Sequence, residues 1–201
     1  NIIKSTEEGK LKSGGKYALL EKPAKGNKIE ARILLRMGDE KSLSQKSMIA
    51  SLTASMLKLG SKTRSKKDIN DQLDQYKINL SLGGSVDGLY VRISTDKTNL
   101  NNALNLVQDI LRNPSFDVTE FEKLKLETKS GLESNRNEPQ AVANQELTKL
   151  TALYPKTHPY YTESIDESLA SLDKITIEDL KNFYATFYGG SNSISSFVGG
   201  I

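Results

Sequence analysis

The sequence predicts an α+β domain in which an antiparallel sheet is flanked by a group of helices. Three observations lead there. Apolar residues alternate with polar ones over residues 29–35 and again over 78–93, the period of half-buried strands. Between residues 99 and 187 apolar residues recur every three to four positions instead, the period of helices. Alternation then returns over 194–198. Strands and helices that are grouped, and not strictly interleaved, point to α+β organisation.

Residues 1–15 are polar and read as an irregular lead-in. Residues 16–201 read as one domain, since no linker, composition break or internal repeat divides them. Residues 16–22 form a short strand, and residues 23–27, opening on Pro23, a turn. Next, Ile29, Ala31, Ile33 and Leu35 share one face while Glu30, Arg32 and Leu34 share the other, so the two strands are expected to pair as a hairpin. From Leu43 the period changes: Met48 or Ile49, Leu52, Met56 and Leu59 line a helix, with Gly60 as its C′ residue. Ser51, Ala54 and Ser55 give that helix small sides, suited to close packing. Ser65 and Asp68 make a capping box for a second helix, faced by Ile69, Leu73 and Tyr76.

Leu80 and Leu82, then Leu89, Val91 and Ile93, alternate on two strands with Gly83, Gly84, Asp87 and Gly88 between them, a hairpin signal. The Gly83-Gly84 pair reads as a turn or bulge. It is not a phosphate loop, because neither a helix nor Lys-Ser/Thr follows. A helix over 99–112 stops before Pro114. Asp117 and Glu120 cap a long charged helix whose apolar contacts, Phe121, Leu124 and Leu132, are sparse, so it lies on the surface. Pro139 opens the next helix, faced by Ala143, Leu147, Leu150 and Leu153 or Tyr154. Thr176 and Asp179 cap the last one, whose aromatic stripe is Phe183, Tyr184 and Phe187. Gly189 and Gly190 end it before the final strand.

Composition removes whole classes of chemistry. The 201 residues include no cysteine and one histidine, His158. Thiolate metal sites, cysteine nucleophiles and any site needing two imidazoles are therefore excluded from this chain alone. Ser51 and Ser55 lie one turn apart, but a serine nucleophile needs a base. Lys46 or Lys58 would have to act with a depressed pKa, so helix packing explains the pair better. Twenty-eight basic residues are interspersed with 25 acidic ones for a net charge of +3, which does not describe a nucleic-acid-binding surface. The densest basic group, Lys58, Lys62, Arg64, Lys66 and Lys67, reads as solvated surface. No apolar run is long enough to span a membrane, and no signal peptide is visible. The compartment stays open between periplasm and cytoplasm. Opening at Asn1 and closing on a strand-like run, the chain reads as a segment of something longer.

Five local runs, in order, carry a family resemblance. They are Leu35-Arg36-Met37-Gly38-Asp39-Glu40, then residues 56–65 around Gly60-Ser61, then Leu111-Arg112-Asn113-Pro114-Ser115-Phe116 with Phe121-Glu122. Tyr154-Pro155 through His158-Pro159-Tyr160, and residues 175–180 with Phe183, Tyr184 and Tyr188, complete the set. Together they resemble the pitrilysin/insulinase metallopeptidases, the inverted zincins, over residues 12–201. The resemblance implies that two such α+β domains make a half. It also implies that two halves enclose a chamber for an unfolded peptide, and that one half carries zinc. The family's H-x-x-E-H places two imidazoles and a general-base carboxylate on one helix face. Aligned on Gly60-Ser61, it falls on Ser51, Leu52, Thr53, Ala54 and Ser55, so neither histidine nor the base is present. The third ligand, a glutamate, falls near Ser130 or Gly131, with Glu127 and Glu133 close by.

The resemblance therefore implies the first domain of the non-catalytic half, inactive alone, with no catalytic or metal residue of its own. Zinc is expected in a metal-bearing half on the same or a neighbouring polypeptide. The alternative is a structural or docking subunit of the same fold without a peptidase role. His158, Tyr160 and Tyr161 are the candidates for substrate or partner contact. Local hydrogen bonding or helix capping by His158, and anchoring of the loop by a tyrosine, are the plainer readings.

Overall fold

A computed structural model describes residues 2–23 and 25–201. The axis of its sheet is β3 (Lys28–Arg36), where Ile29, Ala31 and Leu35 are buried, Ile33 packs on the core beside them, and Glu30, Arg32 and Leu34 lie on the other face. It is flanked by β5 (Gly88–Asp96) on one side and β6 (Ser193–Gly199) on the other, both antiparallel. With β1 (Thr6–Lys10), β2 (Lys16–Glu21) and β4 (Asn79–Ser85) the sheet has six strands in the order β1-β2-β6-β3-β5-β4. Only β2 and β6 run parallel among these pairs. Among the described residues seven α-helices complete the α+β fold: α1 (Ser47–Leu57), α2 (Lys66–Gln75), α3 (Leu100–Arg112), α4 (Val118–Arg136), α5 (Pro139–Thr151), α6 (Ile165–Lys174) and α7 (Ile177–Phe187).

The core lies where α1 crosses the sheet. Leu57, Leu89, Ile110, Leu172 and Leu180 are wholly buried there, and α1 packs on both β4 and α7. Gly84 permits the close approach of α1. A Cβ on it would stand 2.4 Å from the Ala54 Cβ and 3.1 Å from the Ala50 carbonyl oxygen. The expected boxes Ser65/Asp68 and Thr176/Asp179 cap α2 and α7. A third, Ser164/Glu167, caps α6, a helix that the apolar pattern alone does not announce.

Several expectations are corrected. The lead-in contains β1, paired antiparallel with β2. Asn1, at its start, and Ala24, in the expected turn at 23–27, lie outside the described residues. The strands β2 and β3 are not a hairpin, because β6 lies between them and hydrogen-bonds to both. Period two reports which side chains share a face; it is silent on which strand is the neighbour. Helix α1 starts at Ser47, after a turn that holds Leu43 buried. Gly60 is not its C′ residue but bridges to Ser65 at φ +153°. Gly83 and Gly84 lie inside β4, and the hairpin turns on Val86 and Asp87 alone. Finally, α5 buries no residue: Leu147 and Leu150 are exposed, as is Leu153 just beyond it. No helix among the described residues is long and apolar enough to cross a membrane.

Candidate functional site

The face of α1 that carries Ser51, Ala54 and Ser55 is shaped by its packing on β4. Ala54 is buried against Gly84, so that position is closed by the sheet. Ser51 is exposed and Ser55 half-buried, and they open on different clefts. Ser51 shares a cleft of about 470 Å³ with Met48, Ser85, Asp87, Tyr160 and Tyr161. Ser55 borders one of about 500 Å³ whose apolar floor includes Leu80, Leu82 and Leu124 and whose rim includes Lys58, Glu120 and Glu127. Glu127 is thus on the Ser55 side of α1, whereas Glu133, further along α4, does not line that cleft. At the rim, Lys123 bonds the Glu120 carboxylate at 2.9 Å and lowers its pKa. Among the described residues no three His, Asp or Glu side chains are grouped as metal ligands, and neither serine hydroxyl is hydrogen-bonded to Lys46 or Lys58.

The His158 loop is fastened at several points. The imidazole stacks on Tyr154 with centroids 4.2 Å apart and planes 16° apart, and Tyr160 meets Tyr154 edge-on. His158 Nδ1 accepts the Tyr160 N–H at 3.0 Å, which leaves Nε2 to donate towards Glu40 Oε1, 3.6 Å away. Ser44 Oγ donates to the Thr157 carbonyl at 2.5 Å. The Tyr160 hydroxyl donates to Asp87 at the β4–β5 turn. That bond, together with burial and the Asp87 charge, raises the tyrosine's pKa. Tyr161 donates to Glu167 at 3.0 Å, and Lys156 pairs with the same carboxylate. Lys156 first, then the Ser164 N–H and Tyr161, hold the Glu167 pKa down at about 2.

Around this loop three clefts adjoin. The first, about 540 Å³, is lined by Arg36, Glu40, Asp87, His158, Tyr160 and Asn192. The Ser51 cleft shares Asp87 and Tyr160 with it, and shares Tyr161 and Thr162 with a third of about 440 Å³ that reaches Leu153. The fold therefore brings Ser51, His158, Tyr160 and Tyr161 to one band of grooves and leaves Ala54 and Ser55 outside it. Chemically the band offers hydrogen-bond donors, carboxylates and flat aromatic faces, but no paired nucleophile and base. Sequence reasoning missed Glu40 and Asp87, whose partners lie more than 70 residues away in the chain. Glu167 was readable from the Ser164-x-x-Glu167 spacing.

The basic group on the α1–α2 connection is largely paired. Arg64 contacts Asp109 at 2.6 Å, Lys67 contacts Asp71 at 2.5 Å, and Lys66 lies 3.8 Å from Glu120.

Comparison with known proteins adds the following. A sequence model of insulinase, peptidase family M16, matches residues 20–159. No curated protein sequence matches the chain. Among solved structures, the fold is similar to a peptidase M16 inactive domain from Pseudomonas fluorescens, at a TM-score of 0.84 and 23% identity, over 98% of this chain and 47% of that one. It is also similar to a protease from Helicobacter pylori, at a TM-score of 0.82 and 20% identity, over 98% and 46% of the two chains. The periplasmic protease PqqL from Escherichia coli gives 0.76 and 16%, over 98% and 22%. At these identities the likeness is one of fold. The chain spans about half or less of the length of each of them.

Proposed function

Since the chain belongs to the insulinase family of M16 peptidases, we propose that it is a non-catalytic half-domain that helps enclose a peptide for a metal-bearing half. The observation that carries this reading is the α1 face. Where the family needs two imidazoles and a general base, this chain has Ser51, Ser55 and an Ala54 packed on Gly84. A zinc ion held by the other half would supply the Lewis acidity that peptide hydrolysis needs. Nothing in this chain performs that step. Residues 16–201, with β1 added at the edge of their sheet, act as one such domain, and its own contribution is to bind and to wall. Tyr160 and Tyr161 present flat amphipathic faces to a passing peptide, and His158 Nε2–H is a donor beside them. Asp87 and Glu167 hold the two tyrosine hydroxyls, so the rings are positioned before any peptide arrives.

Two measurements test this. Elemental analysis of the purified protein is expected to find no stoichiometric zinc; one tightly held equivalent sinks the reading of the α1 face. Mixing with a metal-bearing M16 half from the same source is expected to raise peptide cleavage several-fold, and Tyr160→Ala to lower that gain. Binding without any gain in cleavage would instead favour a docking subunit.

A further inference from the structure

Between about pH 5 and pH 8 an imidazole is the side chain that ordinarily changes its charge, and this chain has a single one, His158. It stands in the loop that carries Tyr160 and Tyr161, and its ring has little freedom. Tyr154 stacks on it at 4.2 Å, 16% of the side chain is exposed, and Nδ1 accepts the Tyr160 N–H at 3.0 Å. An N–H can meet Nδ1 only while that nitrogen keeps its lone pair, so this bond requires the neutral ring. Tyr160 is thereby fastened at two points, by its N–H to His158 and by its hydroxyl to Asp87.

A second proton on the ring has one place to go and one contact to break. Once Nδ1 is protonated both ring nitrogens are donors, and Nδ1–H faces the Tyr160 N–H with no acceptor between them. Nε2 gains, because Glu40, on the β3–α1 connection, lies 3.6 Å away and is a partner for a charged ring. The other charged groups near the ring offer the freed amide nothing. Asp39 is turned to the Ser42 N–H at 2.8 Å, Asp87 holds the Tyr160 hydroxyl, and Lys156 is paired with Glu167. Arg36, at the end of β3, and Tyr90, on β5, complete the charged and titratable lining of the cleft. Ser44 holds the stem of the loop through the Thr157 carbonyl at 2.5 Å, a bond that needs no particular charge on His158. The change therefore falls on residues 158–160.

We propose that His158 is a positioning residue with a proton-controlled setting: the neutral imidazole holds Tyr160 in its groove, and the imidazolium releases it. The proposal rests on the reading of that groove as a band that binds peptide, and it gives the band a loss of affinity on the acid side. The sign follows from the geometry. At high pH Nδ1 is an acceptor and Tyr160 is fastened at both ends; at low pH the amide end is free and Asp87 alone retains the ring.

The setting is read first on the purified protein without peptide, labelled with nitrogen-15 at histidine and tyrosine. At about pH 8 a coupling across the hydrogen bond is expected between the Tyr160 amide nitrogen and His158 Nδ1, and it should vanish by about pH 5 as the ring takes its second proton. Solvent exchange of the Tyr160 amide, corrected for the intrinsic effect of pH, is expected to quicken at least about ten-fold with the same midpoint. An Nδ1–H tautomer at high pH, or an amide that stays protected beside the charged ring, overturns the proposal. His158→Asn sets a neutral amide oxygen near the place of Nδ1, so Tyr160 protection is expected to hold over the whole range. A transition that survives this substitution also overturns the proposal. The unaltered protein carries the first two readouts, so they stand even where the variant fails to fold. Peptide affinity is scored separately. In the parent it is expected to fall about five-fold or more over the same range, the worth of one hydrogen bond. In His158→Asn it should stay level with pH, whatever its starting value. A released Tyr160 with unchanged peptide affinity overturns the peptide role of the loop alone, and a Tyr160 that never releases in a protein that binds peptide overturns the proton control alone.

Discussion

Asp109, on α3, fastens the connection between α1 and α2. Its carboxylate accepts from Ser61 Oγ at 2.5 Å, Arg64 Nη1 at 2.6 Å, Thr63 Oγ1 at 2.8 Å and Asn113 Nδ2 at 3.0 Å. Burial opposes ionisation here, but the bonds from Ser61, Asn113, Thr63 and Arg64 outweigh it and hold the carboxyl well below its usual range. Asp109→Asn removes the charge and leaves Arg64 without its partner, at an expected cost of about 2 kcal/mol at neutral pH. The folded pKa is depressed, so the contribution is complete above the unfolded value of 3.8 and fades as pH falls below it. Urea midpoints of the two proteins should therefore converge in acid; a gap that persists unchanged to about pH 2 would contradict this account. None of this was legible in the sequence, because Asp109 meets Ser61 and Arg64 across more than 40 residues. The capping boxes were legible because a cap and its partner are three residues apart.

At the scale of the element, α1 and α5 show what periodicity reports and what it omits. Both carry an apolar stripe at helical spacing, yet α1 is pressed on β4 and α7 while α5 leaves Leu147 and Leu150 in solvent. The spacing predicts a face; whether anything covers it depends on the rest of the fold. The covered face of α1 also decides whether the family's motif could be restored. Ser51→His and Ser55→His fall on exposed or half-buried positions and should each change stability by about 1 kcal/mol or less. Ala54→Glu drives a carboxylate into Gly84 and the β4 backbone, with an expected loss of about 3 kcal/mol or more from overpacking and an unpaired buried charge. Thermal unfolding of the three single variants separates the cases. An Ala54→Glu protein as stable as the parent would mean that α1 can lift away from the sheet.

For the molecule as a whole, the change of period along the chain was enough for the fold class, and the missing imidazoles were enough for the non-catalytic reading. Strand order was not readable. The expected β2–β3 hairpin failed because β6 enters from the far end of the chain and takes the place between them. The grooves around His158 were likewise hidden: the candidates His158, Tyr160 and Tyr161 were visible, but Asp87, Glu40 and Ser51 reach them only through the tertiary fold. Removing residues 193–199 should strip β1 and β2 of the strand that, among the described residues, joins them to the rest of the sheet, while β3, β5 and β4 keep their pairing. Hydrogen exchange at residues 16–21 would then rise towards unfolded rates, with residues 89–95 still protected. Protection of both segments in the shortened chain would show that β2 has another neighbour.

That same position of β6 has a consequence for synthesis. Residues 16–21 pair with residues 194–199, so almost the whole length of the chain separates the two strands. Such distant pairing slows folding, because the intervening loop must close before the contact repays it. While the ribosome is still adding α7, the edges of β2 and β3 have no strand between them, and each is open to pairing with another nascent chain. The final strand works as a late keystone, and an agent that shields those two edges until residue 199 clears the ribosome should raise the yield of folded protein.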